Sequence, residues 1–126
     1  MDKSSLALTL ASVAKTKQMA DGEYEIVTGA KINSRNPIVL YLTERDGEYY
    51  FSDNKNTLKY MSQVYELKSP DVKNCISAVV KIYGYAISSG EILAPIKSEA
   101  KLVETYFNTI MCIGQLANMY AFFDKP

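Results

Sequence analysis

The sequence predicts an α+β fold in which antiparallel β-hairpins pack against helices. Apolar residues alternate along residues 37–51, interrupted by Asp46-Gly47, a dipeptide that favours a tight hairpin because both positions accept positive φ. Ser69-Pro70-Asp71 then opens a helical pattern, and apolar residues repeat at helical spacing over residues 102–120. The predicted order of elements is α-β-β-β-α-α-β-β-α, in a single domain that covers residues 1–126.

The N-terminal half is predicted to contain one helix and three strands. Ser4 or Ser5 caps a helix that runs to about Met19, and Asp21-Gly22 ends it. The alternation of side chains then predicts three strands, at residues 23–27, 38–43 and 49–51.

Two helices follow the first hairpin. Asp53 or Asn56 caps the earlier one, whose inward-facing residues are predicted to be Leu58, Met61, Val64 and Tyr65. Ser69 caps the later one, which has proline at its first turn and ends at Gly84.

A second hairpin and a long final helix complete the chain. The hairpin turns through Ser88-Ser89-Gly90, and Pro95 indicates a sheet edge or a strand end. Ser98 caps the final helix, whose apolar stripe is wider than one buried face requires.

Composition excludes several classes of protein. Lys plus Arg and Asp plus Glu number 14 each, so no overall charge attracts polyanions. Histidine is absent, which excludes Ser-His-Asp and Cys-His sites and leaves a poor set of zinc ligands. Cys75 and Cys112 each lie in an apolar helical pattern and are predicted to be two buried thiols. With no secretory signal or membrane span apparent, we expect a cytoplasmic protein.

One catalytic constellation remains as an alternative. Asp53 followed by Glu66-Leu67-Lys68 resembles the Asp…Glu-x-Lys set of metal-dependent nucleases. The Glu-x-Lys triplet falls at a predicted helix end rather than on a strand, so helix capping is the favoured role of Asp53. We therefore expect no enzyme activity, no cofactor and no metal site.

The segment after the first hairpin carries a resemblance to a known family. Ser52-Asp53-x-x-x-Thr57-Leu58, residues 79–85 and Ser89-Gly90-Glu91-Ile92 together resemble the bacterial and phage family called domain of unknown function 1828. The resemblance covers residues 36–122 and departs at Asp53-Asn54-Lys55, where the family has Asp-Asp-Gly. It implies a setting among bacteria, phages and mobile elements, and it implies no established activity.

The hypothesis that these observations favour is a non-catalytic protein-interaction module, one form of which is inhibition of a bacterial defence protein. The candidate contact residues are the aromatic pair formed by Tyr41 with Tyr49 or Tyr50, and the acidic hairpin tip, which suits a basic partner. The tip carries Glu44, Asp46 and Glu48.

Two further expectations concern partners. Lys31, Lys55 and Lys59, with Tyr41 or Tyr49 as a stacking platform, leave a nucleic-acid-associated protein open as the alternative function. The surplus of apolar residues on the final helix, extending to Tyr120, Phe122 and Phe123, predicts self-association as a homodimer through that helix.

Overall fold

The computed structural model of the protein describes residues 1–32, 35–63 and 66–119. It confirms the α+β class and the predicted order of elements, with one strand added. The elements are helix α1 (Lys3–Leu10), strands β1 (Lys15–Gln18), β2 (Tyr24–Lys31), β3 (Pro37–Arg45) and β4 (Glu48–Ser52), helices α2 (Asn56–Met61) and α3 (Pro70–Ile82), strands β5 (Ala86–Ser88) and β6 (Glu91–Ile96), a 3-10 turn (Glu99–Lys101) and helix α4 (Leu102–Ala117).

The strands of the described residues form one antiparallel sheet in the order β1-β2-β3-β4-β6-β5. The helices lie on one face, because α1 packs on β3, α2 on β6 and α4 on both β2 and β6. The predicted alternation is confirmed: Ile38, Leu40 and Leu42 are all buried on the helix side. The opposite side of the sheet, which we call the open face, carries the alternate residues of the same strands.

Helix α4 occupies the centre of the core. Its Tyr106, Ile113 and Leu116 are buried, and α1, α2 and α3 each pack against it. The Tyr106 ring meets Phe51 of β4 edge-on, with 6.0 Å between ring centroids. Within the part of the chain that the structure describes, no helix has both the length and the apolar character needed to cross a membrane.

Both predicted hairpins are confirmed, and each has a two-residue loop. Asp46 and Gly47 have φ of 54° and 79°, and Ser89 and Gly90 have φ of 51° and 83°. Two consecutive positive φ values match the right-handed twist of the strands that such loops join. Strand β5 begins at Ala86, opposite Leu93, so β6 has no partner on that side at Pro95. The missing N–H of Pro95 therefore costs no hydrogen bond to β5.

The prediction for residues 11–19 is wrong. The first helix is capped by Asp2, whose Oδ1 accepts the Ser5 N–H at 2.8 Å, and it ends at Leu10. Residues 15–18 form β1 instead, paired with β2 along its outer edge. Pairing with a partner strand overrides the weak local helix propensity of a short Lys-Thr-Lys-Gln segment.

Ser69 is the N-cap residue of α3, as predicted, whereas Ser98 is the N-cap of the 3-10 turn and not of the final helix. Neither hydroxyl makes a capping hydrogen bond. Pro70 occupies the first position of α3, where its missing N–H leaves no intrahelical hydrogen bond unmade. The Ser69 carbonyl accepts the Lys73 N–H at 3.0 Å.

Some residues of the predicted apolar surfaces fall outside the described part of the chain. Val64 and Tyr65 of the predicted inward face, and Tyr120, Phe122 and Phe123 after the final helix, lie outside the described residues. Within the described range, Met61 is buried and Leu58 is half-buried against the core, as predicted.

The two cysteines are free, but they differ in environment. Cys112 is fully buried, as predicted, and burial raises the pKa of its thiol to about 12, with a smaller contribution from the nearby charge of Asp53. Cys75 is only half-buried, so the prediction of two buried thiols is wrong for this residue. It lines an open depression between α3 and α4, where a thiol reagent has access.

We therefore expect one reactive thiol in the native protein. Titration of dilute protein with a chromogenic disulfide reagent should label Cys75 promptly. Cys112 should react far more slowly, or only after unfolding, because its thiol is fully buried and its raised pKa disfavours the thiolate. Cys75→Ser should abolish the fast phase. A fast phase that persists in Cys75→Ser would contradict the burial of Cys112.

Candidate functional site

Tyr49 and Tyr50 point to opposite sides of the sheet, as adjacent strand residues do. The Tyr49 ring lies on the helix side, where its hydroxyl donates a hydrogen bond to the Met1 carbonyl at 3.1 Å. Tyr50 lies on the open face together with Tyr41 of the neighbouring strand, and both are half-buried. The structure thus brings Tyr41 and Tyr50 to one surface and separates Tyr49 from them.

The hairpin tip is more acidic in three dimensions than its sequence suggests. Glu44, Asp46 and Glu48 are exposed there. Arg45 turns away from the tip and forms a bidentate ion pair with Glu91, with N–O distances of 2.8 and 2.7 Å. The Tyr50 hydroxyl donates to Glu48 at 3.0 Å, and this bond to a carboxylate, followed by burial, raises the pKa of Tyr50.

The Arg45–Glu91 pair shows that the open face is concave. In the register of the sheet, Arg45 of β3 stands opposite Glu48 of β4. The register of β4 with β6 puts Glu48 level with position 97, just past the end of β6 and six residues from Glu91. Six residues of straight strand measure about 20 Å, farther than the two side chains reach, so the sheet must curve towards this face. The Ser52 hydroxyl donates to Glu91 beneath the ion pair. The hydrogen bonds from Arg45, with a smaller effect of that from Ser52, hold the pKa of Glu91 below its usual value despite partial burial.

The loop from Ser52 to Asn56 depends on a buried carboxylate. Asn54 and Lys55 are consecutive residues with left-handed backbones, at φ of 53° and 67°. Asp53 Oδ1 accepts the N–H groups of Lys55 at 3.0 Å and Ile92 at 2.9 Å, and Oδ2 accepts that of Thr57 at 3.1 Å. Lys55 occupies the N-cap position of α2, and Asp53, two residues earlier, accepts the N–H of Thr57 in the first turn of that helix. The bond to Ile92 also ties the loop to β6.

These bonds leave Asp53 poorly placed for the nuclease alternative. Its side chain is 2% exposed, and both oxygens are occupied by backbone donors. Glu66 is exposed, and its carboxylate accepts the N–H of Lys68 at 3.1 Å. Across residues 1–32, 35–63 and 66–119, no three His, Cys, Asp or Glu side chains are grouped so that they could hold a metal ion.

A crevice of about 290 Å³ opens beside this loop, between the start of β3 and α2. Asp53 and Thr57 lie buried at its base, Tyr41 is at its side, and Lys59 and Gln63 are exposed at its rim. Burial, followed by the charge of Glu25, raises the pKa of Tyr41 against the opposing effect of a hydrogen bond with Asn54, so its hydroxyl is neutral near neutral pH. No local sequence pattern marks this crevice, because the sheet register assembles it from distant segments.

A second, more apolar depression separates α3 from α4. It measures about 690 Å³, and we call it the α3–α4 groove. Three large apolar side chains on these helices face solvent: Ile82 is 81% exposed, Met111 56% and Phe107 50%. The sequence indicated the surplus on α4 but not the matching contribution of α3, which the spacing of Cys75, Val79 and Ile82 at i, i+4 and i+7 could have revealed.

Comparisons with models of protein families, with curated proteins and with solved structures find no match. The resemblance to domain of unknown function 1828 therefore stays a prediction. The position at which that pattern has glycine is Lys55, whose backbone is left-handed in this structure.

The buried Asp53 carboxylate should contribute strongly to the stability of the fold. Asp53→Asn should lower the free energy of unfolding by about 2–4 kcal/mol, because an amide loses the charge and turns an N–H towards backbone N–H donors. Asp46→Asn is the matched control, since it alters an exposed turn and should change stability by less than about 0.5 kcal/mol. Urea unfolding curves measure both; equal effects would show that Asp53 does not anchor the loop.

The left-handed backbone of Lys55 lowers stability, and glycine should relieve this cost. Lys55→Gly should raise the free energy of unfolding by about 0.5–1 kcal/mol, because glycine adopts positive φ without the steric cost that lysine bears. The same change four residues later, Lys59→Gly within α2, should lower stability by a similar amount, about 0.5–1 kcal/mol. Thermal and urea unfolding of the two variants should thus shift in opposite directions, and a loss of stability in Lys55→Gly would refute the argument.

Proposed function

We propose that this protein is a non-catalytic protein-interaction module that self-associates through the α3–α4 groove. The observation that carries the proposal is the exposure of Ile82, Phe107 and Met111 beside that groove. Monomeric proteins rarely leave a contiguous apolar patch of this kind open to water, whereas association surfaces commonly do. Removal of the patch from water stabilises an assembly by roughly 25 cal/mol per Å².

A second copy of the chain is the occupant that suits this surface. In a two-fold symmetric dimer each patch meets itself, so any charge on it would face an identical charge. Among the described residues, those lining the groove are uncharged. Met111 is exposed on this surface, and the position of Gly114, which has no side chain, opens onto free space beside it.

The energy of this contact favours a reversible dimer. Complete burial of one large apolar side chain contributes about 1.5–3 kcal/mol, and the three side chains are already partly covered. A dimer buries these three side chains from each of its two chains, and their burial stabilises it by on the order of 8 kcal/mol. This gain is comparable with the entropic cost of association. The state of assembly should therefore depend on protein concentration.

Association through the helices leaves the open face and the hairpin tip available to another protein. Glu44, Asp46 and Glu48 are exposed at the tip, and Arg45 is drawn away by Glu91, so a lysine- or arginine-rich surface is the complementary partner. Tyr50 adds aromatic area next to these carboxylates. The cytoplasmic setting comes from the sequence, and the phage or mobile-element origin, with inhibition of a bacterial defence protein, comes from the family resemblance; all are part of the proposal.

Sedimentation analysis over a range of concentrations tests the proposal. Wild-type protein should approach twice the mass of one chain as concentration rises, and Ile82→Glu should stay monomeric because two glutamates would meet across the symmetry axis. Leu8→Glu is the matched control, since Leu8 is 78% exposed on α1, outside the groove, and its change should leave the dimer intact. Because Cys75 lines the groove, its labelling by thiol reagents should also slow at high concentration.

Two results would overturn this proposal. One is wild-type protein that remains monomeric at every concentration. The other is a dimer that Ile82→Glu does not disrupt, which would place the contact elsewhere on the molecule.

A further inference from the structure

The crevice beside the Asp53 loop combines three kinds of surface. One side is apolar, formed by Ile32, Pro37 and Val39. The half-buried ring of Tyr41 adjoins it. Amide side chains contribute groups that both donate and accept hydrogen bonds, as Asn56 and Gln63 do at the exposed rim.

The charges around the crevice are positive. Lys59 lines it directly, and Lys31 and Lys55 flank it at the end of β2 and in the loop after β4. In the described ranges none of these three lysines belongs to an ion pair. The exposed carboxylates of the hairpin tip lie at the opposite end of β3, so this neutral chain has a basic end and an acidic end.

Three acidic residues, Glu25, Asp53 and Glu91, lie at or near the crevice. The Asp53 carboxylate is buried and accepts three backbone N–H groups. Glu91, which lies close enough to Lys55 to feel its charge, is held by both guanidinium nitrogens of Arg45.

Glu25 does not line the crevice, but it stands opposite Tyr41 in the β2–β3 register, and its charge acts on the Tyr41 hydroxyl. The anionic group of a ligand is therefore favoured at Lys59, which lines the crevice, rather than beside Tyr41.

We infer that this crevice binds a nucleotide unit, with the base against Tyr41 and the apolar side and the phosphate at Lys59. A flat aromatic base requires a ring or apolar wall, its edge requires donors and acceptors of the amide type, and its phosphate requires a cation. The volume of about 290 Å³ lies just below the range of about 300–1,000 Å³ that is usual for small-ligand sites, so the crevice suits no more than one nucleotide. This site is separate from the α3–α4 groove, so it does not depend on self-association.

Two kinds of ligand carry this combination of base and phosphate: a free mononucleotide, and one nucleotide of a single-stranded nucleic acid. Lys31 and Lys55 lie beyond the crevice and would contact phosphates that a mononucleotide lacks. A strand should therefore bind more tightly than a mononucleotide, and its affinity should fall more steeply with added salt, if nucleic acid is the source. Equal affinities would identify the free nucleotide.

Isothermal titration with adenosine 5′-monophosphate, adenosine, inorganic phosphate and a short oligodeoxyadenylate tests the inference. The monophosphate should bind more tightly than either of its parts. Tyr41→Leu should weaken its binding about tenfold or more, whereas Tyr41→Phe, which keeps the ring, should stay within about twofold of wild type. Lys59→Gln should weaken binding of the monophosphate and leave binding of adenosine unchanged.

Two exposed positions allow a loss of binding to be distinguished from a loss of folding. Lys59 is exposed on α2, so Lys59→Gln should preserve the fold, and Lys97→Gln, near the acidic end, should bind as the wild type does. Binding of the monophosphate no tighter than inorganic phosphate would overturn the inference, since the base would then contribute nothing. Unchanged binding of the monophosphate in Lys59→Gln would overturn it equally.

Discussion

The Asp53 carboxylate is the interaction on which the arrangement of this fold depends. Strands β4 and β6 are neighbours in the sheet, yet α2, α3 and β5 separate them in the chain. Asp53 accepts N–H groups from Lys55 and Thr57 at the start of that excursion and from Ile92 at its end. A buried charge is tolerated in such a position because three donors replace the water that it has lost.

The same carboxylate sustains a strained loop and, with it, the crevice. Asn54 and Lys55 both hold left-handed backbones that lysine seldom adopts, and their N–H groups are fixed by Ser52 and Asp53 respectively. Release of that loop would move Asn56, which lines the crevice, and Lys55 beside it. The network also extends across the sheet, because Ser52 donates to Glu91, which is held in turn by Arg45.

Local signals in the sequence identified most of the elements, and distant contacts account for what they missed. Asp46-Gly47 and the alternation around Leu40 specify a hairpin by steric and burial preferences that act over a few residues. Strand β1 has no apolar pattern and exists because β2 has an edge to pair with. Arg45 appears in the sequence as part of the tip, and only the curvature of the sheet brings it to Glu91. The crevice and the α3–α4 groove likewise join segments that no local pattern connects.

Helix α4 links the two proposed sites, because adjacent residues serve each of them. Ile113 lies at the base of the crevice, and Gly114 lines the groove on the other side of the helix. A ligand in the crevice can affect self-association only by shifting or rigidifying this helix. Any such effect must be reciprocal, so dimer formation would change ligand affinity by the same factor. The tight packing of Tyr106, Ile113 and Leu116 argues that α4 moves little, and independent sites are the consequence of that packing.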